Sequence, residues 1–174
     1  MHDRHEPIDW VRRYQPLIPA GGHVLDVACG SGRHTRFFAG LGYRVTALDR
    51  DISGVEDLAG EPGIEIVEAD IETGGWPLTG RTFDAVVVVN YLHRPLTPYL
   101  RSALAEGGIL IYQTFARGNE KFGRPRNPDF LLEDGELLHM FGDGMTVVAY
   151  ENVLVEGDNP AVVQRMCAIN RKAD

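Results

Sequence analysis

A glycine-rich turn between a buried strand and a helix constrains this chain more than any other feature. Residues 24–27 predict the strand, since two of their three apolar side chains are β-branched. The small residues of Ala28-Cys29-Gly30-Ser31-Gly32 let backbone approach a ligand closely, and a helix is predicted over residues 33–41. Strand, turn and helix together open a nucleotide-binding α/β domain, in which unpaired N–H groups at the helix N-terminus suit polar or anionic ligand groups.

The rest of the chain alternates predicted strands and helices. Residues 83–90 form an unbroken apolar run, typical of a central parallel strand covered on both faces. The pattern predicts an α/β fold with a doubly wound, mostly parallel seven-stranded sheet, an antiparallel C-terminal strand pair and helices on both faces. The other strands are predicted over 44–49, 64–70, 109–115, 145–155 and 161–170, and the other helices over 8–18, 52–59, 98–105 and 129–141.

Length and composition narrow the class of protein. The 174 residues fit one domain, 1–174, with residues 1–20 as an N-terminal helix or cap and 115–128 as a substrate-side loop. A net charge of −8 argues against a surface that attracts nucleic acid everywhere, although a local basic patch remains compatible with it. The two cysteines give neither a disulfide framework nor metal-ligand spacing, and no apolar run reaches the ~20 residues that span a bilayer. We expect a cytoplasmic protein without a metal or a membrane contact.

Carboxylates stand at the ends of three successive predicted strands, at Asp26, Asp49 and Asp70. The turn with its preceding acid, Asp26 to Gly32, resembles the acidic-x-Gly-x-Gly-x-Gly motif of class I methyltransferases dependent on S-adenosylmethionine. In this chain Ala28 replaces the first glycine of that motif. The likeness extends over residues 22–115, and the small bacterial stand-alone members are the most similar type.

The resemblance implies a binding site for S-adenosylmethionine across the carboxyl ends of the strands. Asp49, 23 residues after Asp26, matches the ribose-binding acid, and Asp70 matches the acid near the adenine amine. Alternatives from the residues alone are that Asp26 braces the loop, that Asp49 begins a turn, that Asp70 is a solvated loop acid and that Cys29 is a small filler. The implied donor-binding set is Asp26, Ala28, Cys29, Gly30, Gly32, Asp49, Arg50, Asp70, Ile71 and Asn90.

The segment Asn90-Tyr91-Leu92-His93 directly follows the central strand. The resemblance implies that this segment faces both the methyl donor and the acceptor. Asn90 and Tyr91 are then predicted to position the acceptor, and His93 to remove its proton near neutral pH, as the catalytic residues. The alternative is that Tyr91 and His93 only wall the donor pocket.

Residues 115–128 concentrate positive charge in an otherwise acidic chain, and Phe115 and Phe122 offer rings that stack on a flat acceptor or a base. The loop suits a substrate lid, an anion-binding surface or a contact with RNA, or it is a solvated loop whose arginines pair with nearby acids. Among these roles we favour that of a lid, which would cover a small-molecule acceptor. The predicted substrate-binding residues are Arg117, Phe122, Arg124 and Arg126, with Lys121 as a further cation.

These features predict a methyltransferase that uses S-adenosylmethionine on a small molecule, or alternatively on RNA through the basic loop. A non-catalytic S-adenosylmethionine-binding subunit that activates a partner is a different class, and it gains weight because no catalytic base is unmistakable. A nicotinamide-dependent oxidoreductase is disfavoured, because the segment after Gly32 lacks the third glycine of the dinucleotide fingerprint.

Overall fold

The computed structural model describes residues 5–171, which are built around one seven-stranded sheet. Its strand order is β3-β2-β1-β4-β5-β7-β6, in which the first five strands run parallel and β7 runs antiparallel to both β5 and β6. The predicted fold class is confirmed. The strands are β1 His23–Val27, β2 Arg44–Asp49, β3 Ile64–Glu68, β4 Phe83–Val89, β5 Leu104–Phe115, β6 Met145–Val155 and β7 Ala161–Asn170.

Within residues 5–171, four short α-helices accompany the strands. They are α1 Asp9–Tyr14, α2 Arg33–Gly40, α3 Thr97–Ser102 and α4 Glu136–Phe141. Helix α2 ends as its sequence predicts, since Gly42 adopts φ +87° and donates to the carbonyl of Ala39. Residues 1–4 of the predicted N-terminal cap, and residues 172–174 of the predicted domain, lie outside the described residues.

The helix predicted over residues 129–141 is wrong in its first half. Asn127 caps a short 3₁₀ helix, Pro128–Phe130, and the backbone at Leu132 then becomes extended and bonds to Phe115 and Arg117. Gly135 has φ +73°, so α4 begins only at the next residue. Pairing with the end of β5 therefore overrides the local helical pattern.

Three other helix predictions are too long. Residues 8–18 form α1 followed by a 3₁₀ turn, because Pro16 cannot donate the hydrogen bond that would continue the α-helix. Residues 52–59 form two 3₁₀ turns in place of one helix. The helix predicted over residues 98–105 ends at Ser102, because Ala103 accepts from Phe83 and β5 begins at Leu104, with an irregularity before Ile109.

The central strand β4 is buried on both faces, as its apolar run predicts. Val86 and Val88 pack into one apolar cluster, while Ala85 and Val87 pack into the cluster on the opposite face. Because β4 is buried on both faces, polar side chains that could bind a ligand are found where the strands end, at the carboxyl edge of the sheet. Among residues 5–171, the longest helix has eight residues, so none is long enough to cross a bilayer.

Candidate functional site

The turn between β1 and α2 adopts backbone conformations that favour glycine. Gly30 has φ +54° and Gly32 has φ +76°, and Ala28, which carries a side chain, has φ +53°. A Cβ at Gly32 would lie 2.4 Å from Cγ1 of Val55, and a Cβ at Gly54 would lie 2.3 Å from the carbonyl oxygen of Gly30. Gly54 lies in the 3₁₀ turn Ile52–Gly54, which follows β2. Because neither Gly32 nor Gly54 carries a side chain, this turn packs closely against the turn after β1 at the carboxyl edge of the sheet.

Asp26 is a buried brace between β1 and α2. It is 3 % exposed, and its Oδ2 accepts a hydrogen bond of 2.7 Å from the hydroxyl of Thr35. Burial raises the pKa of this carboxyl to about 6. The geometry is that of the bracing role, and direct contact between Asp26 and a methyl donor remains a prediction.

Asp49 ties the end of β2 to the glycine-rich turn. Its Oδ2 accepts from the backbone N–H of Gly30 at 2.8 Å, and its Oδ1 accepts from the backbone N–H of Asp51 at 3.0 Å. A carboxylate has about four lone-pair positions, so both oxygens keep capacity for a ligand hydroxyl. Asp49 therefore shapes the turn and still presents acceptors to the space in front of it.

Asp70 lies two residues after the end of β3 and begins a local turn. Its carboxylate accepts from the backbone of Glu72 and from the hydroxyl of Thr73, and these bonds lower its pKa.

The hydroxyl of Tyr91 donates to Oε1 of Glu72 at 3.1 Å, and burial raises the pKa of Tyr91. Tyr91 therefore stays a neutral hydrogen-bond donor at neutral pH.

Asp49, Asp70 and Tyr91, but not Asp26, line a cavity of about 330 Å³ above β1, β2, β3 and β4. The structure thus brings together five members of the predicted donor-binding set, and it adds Tyr91. Glu72 and Phe130 also line the cavity, although the sequence analysis gave neither of them a role. The lining consists of Ala28, Asp49, Arg50, Ala69, Asp70, Ile71, Glu72, Tyr91 and Phe130.

A second cavity, of about 310 Å³, lies on the other side of the Asn90–Tyr91 peptide, above β4, β5 and β7. Residues 6–8, which precede α1, form one of its walls. Asn90 has φ +56°, and this left-handed turn sends residues 90 and 91 to different cavities. The side chains that line the second cavity include Trp10, Arg33, Asn90, Gln113, Phe115 and Arg165.

Other predicted residues lie apart from these cavities or are used by the fold. Cys29 is 7 % exposed and packs with Ala47 and Val55, and burial raises the pKa of its thiol. The ring Nδ1 of His93 lies 4.0 Å from Oε1 of Glu72. Its place beside Tyr91 is compatible both with an acceptor role and with a pocket wall.

The basic loop is only partly available for a ligand. Arg117 pairs with Glu133, as the solvated-loop alternative anticipates. Arg124 and Arg126 border a shallow depression together with Phe130, and Phe122 is 44 % exposed on the surface. Among residues 5–171, no group of three or more His, Cys, Asp or Glu side chains is placed to hold a metal ion.

Sequence reasoning gave no role to Gln113, Arg33 or Trp10. Gln113 is a polar residue inside the apolar run of β5, and that interruption near the carboxyl edge was the available signal. Trp10 and Arg33 join the cavity through contacts across more than twenty residues of sequence, which no local pattern reports.

Comparisons with known proteins identify the type of domain. Residues 24–108 match a family model described as a methyltransferase domain. The chain is 34 % identical over 105 residues to trans-aconitate 2-methyltransferase of Paracidovorax citrulli, covering 55 % of this chain and 40 % of that protein. It is 32 % identical over 131 residues to protein-L-isoaspartate O-methyltransferase of Chlorobaculum tepidum, covering 71 % of this chain and 58 % of that protein.

The chain thus spans about half the length of these two curated relatives. The crystal structure of TehB from Haemophilus influenzae superposes with a TM-score of 0.74 at 20 % identity, covering 94 % of this chain and 62 % of that one. At this identity the structural likeness concerns the fold.

Proposed function

We propose that this chain, which carries a class I methyltransferase domain dependent on S-adenosylmethionine, transfers the methyl group of that donor to a small-molecule acceptor. The observation that supports the proposal most strongly is the cavity lined by Asp49, Asp70 and Tyr91 at the carboxyl edge of the sheet. Open α/β sheets bind their ligands at this edge, where the strand order reverses. Here the reversal lies between β1 and β4.

The residues of the first cavity fit the nucleoside half of S-adenosylmethionine. Asp49 keeps acceptor lone pairs for two adjacent ribose hydroxyls. Asp70, whose carboxylate accepts from the hydroxyl of Thr73, is proposed to accept from an exocyclic amine, and Ile71 is proposed to supply an apolar surface for the base. In the second cavity, the half-buried guanidinium of Arg33 has no hydrogen bond or ion pair among residues 5–171, so it would hold the carboxylate of the donor.

When bound, S-adenosylmethionine supplies a methyl carbon made electrophilic by its sulfonium. The residues of this chain then have to position an acceptor lone pair in line with that carbon. Asn90 lines the second cavity and Tyr91, the next residue, lines the first, and both are proposed to position the acceptor. His93 is proposed to take the proton that the acceptor loses.

A small acceptor is favoured over RNA by the shape and charge of the site. The second cavity, of about 310 Å³, matches the lower range of small-molecule sites. The relative from Paracidovorax citrulli is named for methylation of trans-aconitate, itself a small molecule. RNA would depend on the basic loop, where Arg117 already pairs with Glu133.

The experiment that tests the proposal is calorimetric titration with S-adenosylmethionine and its demethylated product. Asp49→Ala should weaken donor binding by about 1–3 kcal/mol, the usual effect of leaving hydrogen-bonded groups unpaired. Asp49→Asn keeps one acceptor oxygen and should lose less. Asp57→Ala is the matched control, because Asp57 pairs with Arg36 and does not line the cavity.

Two results would contradict the proposal. The first is tight NAD binding with no binding of S-adenosylmethionine, which would exclude the donor. The second is salt-sensitive RNA binding that is lost when Arg124 and Arg126 are both changed to glutamate, which would replace the small acceptor by RNA. Donor binding without methyl transfer to any component of a cell extract would favour a non-catalytic subunit.

A further inference from the structure

We infer that the second cavity is the acceptor site and that it takes a flat, uncharged small molecule that offers an N–H or O–H group to Gln113. This inference rests on the proposed function and specifies its substrate class. It starts from one orphaned atom: Oε1 of Gln113 is buried and has no hydrogen-bond partner among residues 5–171. A buried amide oxygen without a partner is unfavourable by about 1–3 kcal/mol, so a site that keeps one is expected to gain its partner from a ligand.

The position of Gln113 is fixed by the sheet. In the register of the sheet, Gln113 lies opposite Val89 of β4 and Arg165 of β7. The backbone carbonyl of Gln113 accepts from the N–H of Asn90 at 2.9 Å. Gln113 and Asn90 therefore present two neutral amides to the cavity from neighbouring strands. Since the next residue, Tyr91, lines the proposed donor cavity, a group bonded to Gln113 would lie close to the proposed place of methyl transfer.

The walls of the cavity are aromatic and apolar. Trp10, Phe115 and Val163 line it, and the indole N–H of Trp10 is already used by the carbonyl of Met166 at 3.1 Å. The indole is therefore fixed in place and offers the cavity an apolar surface. Flat ligands gain most from such walls, because ring stacking adds to the burial of apolar area.

The N-terminal segment closes the cavity and is held by a neutral histidine. The backbone N–H of Ile8 donates to Nε2 of His34 at 3.2 Å. His34 is 4 % exposed, and burial lowers its pKa to about 3, so the ring stays an acceptor at neutral pH. Through this bond α2, which begins at the donor-binding turn, fixes one wall of the acceptor cavity.

Two of the four charged groups around the cavity are paired with other side chains, which favours an uncharged acceptor. Arg165 pairs with Glu151 and stacks over the ring of Trp10 at 4.7 Å. Glu6 pairs with Arg12 and is exposed. Asp9 is exposed at the start of α1, and Arg33 is assigned above to the carboxylate of the donor. The polar groups left for an acceptor are mainly neutral amides, those of Asn90, Gln113 and Asn159.

The test uses ¹⁵N-labelled protein saturated with S-adenosylhomocysteine, the demethylated product of the donor, so that the proposed donor site is filled. Binding of three probes, indole, benzofuran and benzoate, is then followed by NMR. Indole and benzofuran have nearly the same shape, but benzofuran has an ether oxygen where indole has N–H. Indole should bind about 2–10-fold more tightly, the range expected for one net hydrogen bond. Binding should shift the indole signal of Trp10 and leave that of Trp76 unchanged, because Trp76 stacks on Tyr99 outside the cavity.

Gln113→Leu should remove the preference for indole and leave the affinity for S-adenosylhomocysteine unchanged. Gln15→Leu is the matched control, since its amide bonds to Tyr43 away from the cavity, and it should keep the preference. The comparison of indole with benzofuran in the unmodified protein needs no variant, so it stands even if Gln113→Leu fails to fold.

Three results overturn the inference: equal binding of indole and benzofuran, tighter binding of benzoate that Arg33→Met abolishes, or binding that leaves Trp10 unshifted. Each is separable from failure of the proposed function, because S-adenosylhomocysteine binding is measured first and independently. If that ligand fails to bind, the proposed donor site falls. If it binds and the probes behave otherwise than stated, only the acceptor assignment falls.

Discussion

Replacing Asp26 by asparagine should stabilise the protein at neutral pH and have little such effect in acid. The buried carboxyl has a pKa of about 6, against 3.8 for an ordinary aspartate. In the unfolded chain the carboxyl of Asp26 therefore ionises near pH 3.8, whereas in the folded chain it keeps its proton until about pH 6. Folding stability falls as pH rises between these values and changes no further above them. At 1.36 kcal/mol per pKa unit, the loss is about 3 kcal/mol.

Asparagine has no such titration, and its side-chain oxygen can still accept from the hydroxyl of Thr35. The free energy of unfolding of Asp26→Asn, minus that of the unmodified protein, should therefore rise by about 3 kcal/mol between about pH 3.5 and pH 7.5. Urea unfolding at several pH values measures this difference. Any constant effect of burying the amide cancels, because only the change with pH is compared.

Asp57→Asn is the control of opposite sign. Hydrogen bonding to the Arg36 guanidinium lowers the pKa of Asp57, so its ionised form favours the folded state. The control should lose stability relative to the unmodified protein as pH rises. A difference for Asp26→Asn that stays constant with pH would refute the reasoning, since it would mean that Asp26 ionises with an ordinary pKa.

Three further predictions concern the site itself. Tyr91→Phe and His93→Ala should lower turnover on an identified acceptor more than they weaken donor binding, as steady-state kinetics beside calorimetry would show; full turnover in both would make them pocket walls. Gly32→Ala should reduce the free energy of unfolding by about 2–3 kcal/mol, because its Cβ meets Val55 at a φ of +76°. Ala28→Gly should change it by less than about 1 kcal/mol and retain donor binding, because glycine relieves the strained φ at an entropic expense; a large loss would show that the methyl group packs.

The sequence alone determined the class of fold and the place of the first cavity, at the carboxyl edge of the sheet. The strand–turn–helix at residues 24–41 and the buried run of β4 are local patterns, and local patterns follow from backbone preferences and burial. Asp49 and Asp70 could be placed near each other because parallel strands end at one edge of a sheet. Their presence in one cavity needed no knowledge of distant contacts.

Only the tertiary structure decided how long the helices are and which residues line the second cavity. The predicted helix at 129–141 lost its first half to pairing between Leu132 and the end of β5, a contact absent from the local pattern. The second cavity likewise combines Trp10, Gln113 and Arg165, which are distant in sequence and meet through the order of β4, β5 and β7. Because an orphaned oxygen such as that of Gln113 is defined by what surrounds it, no reading of residue types along the chain reveals it.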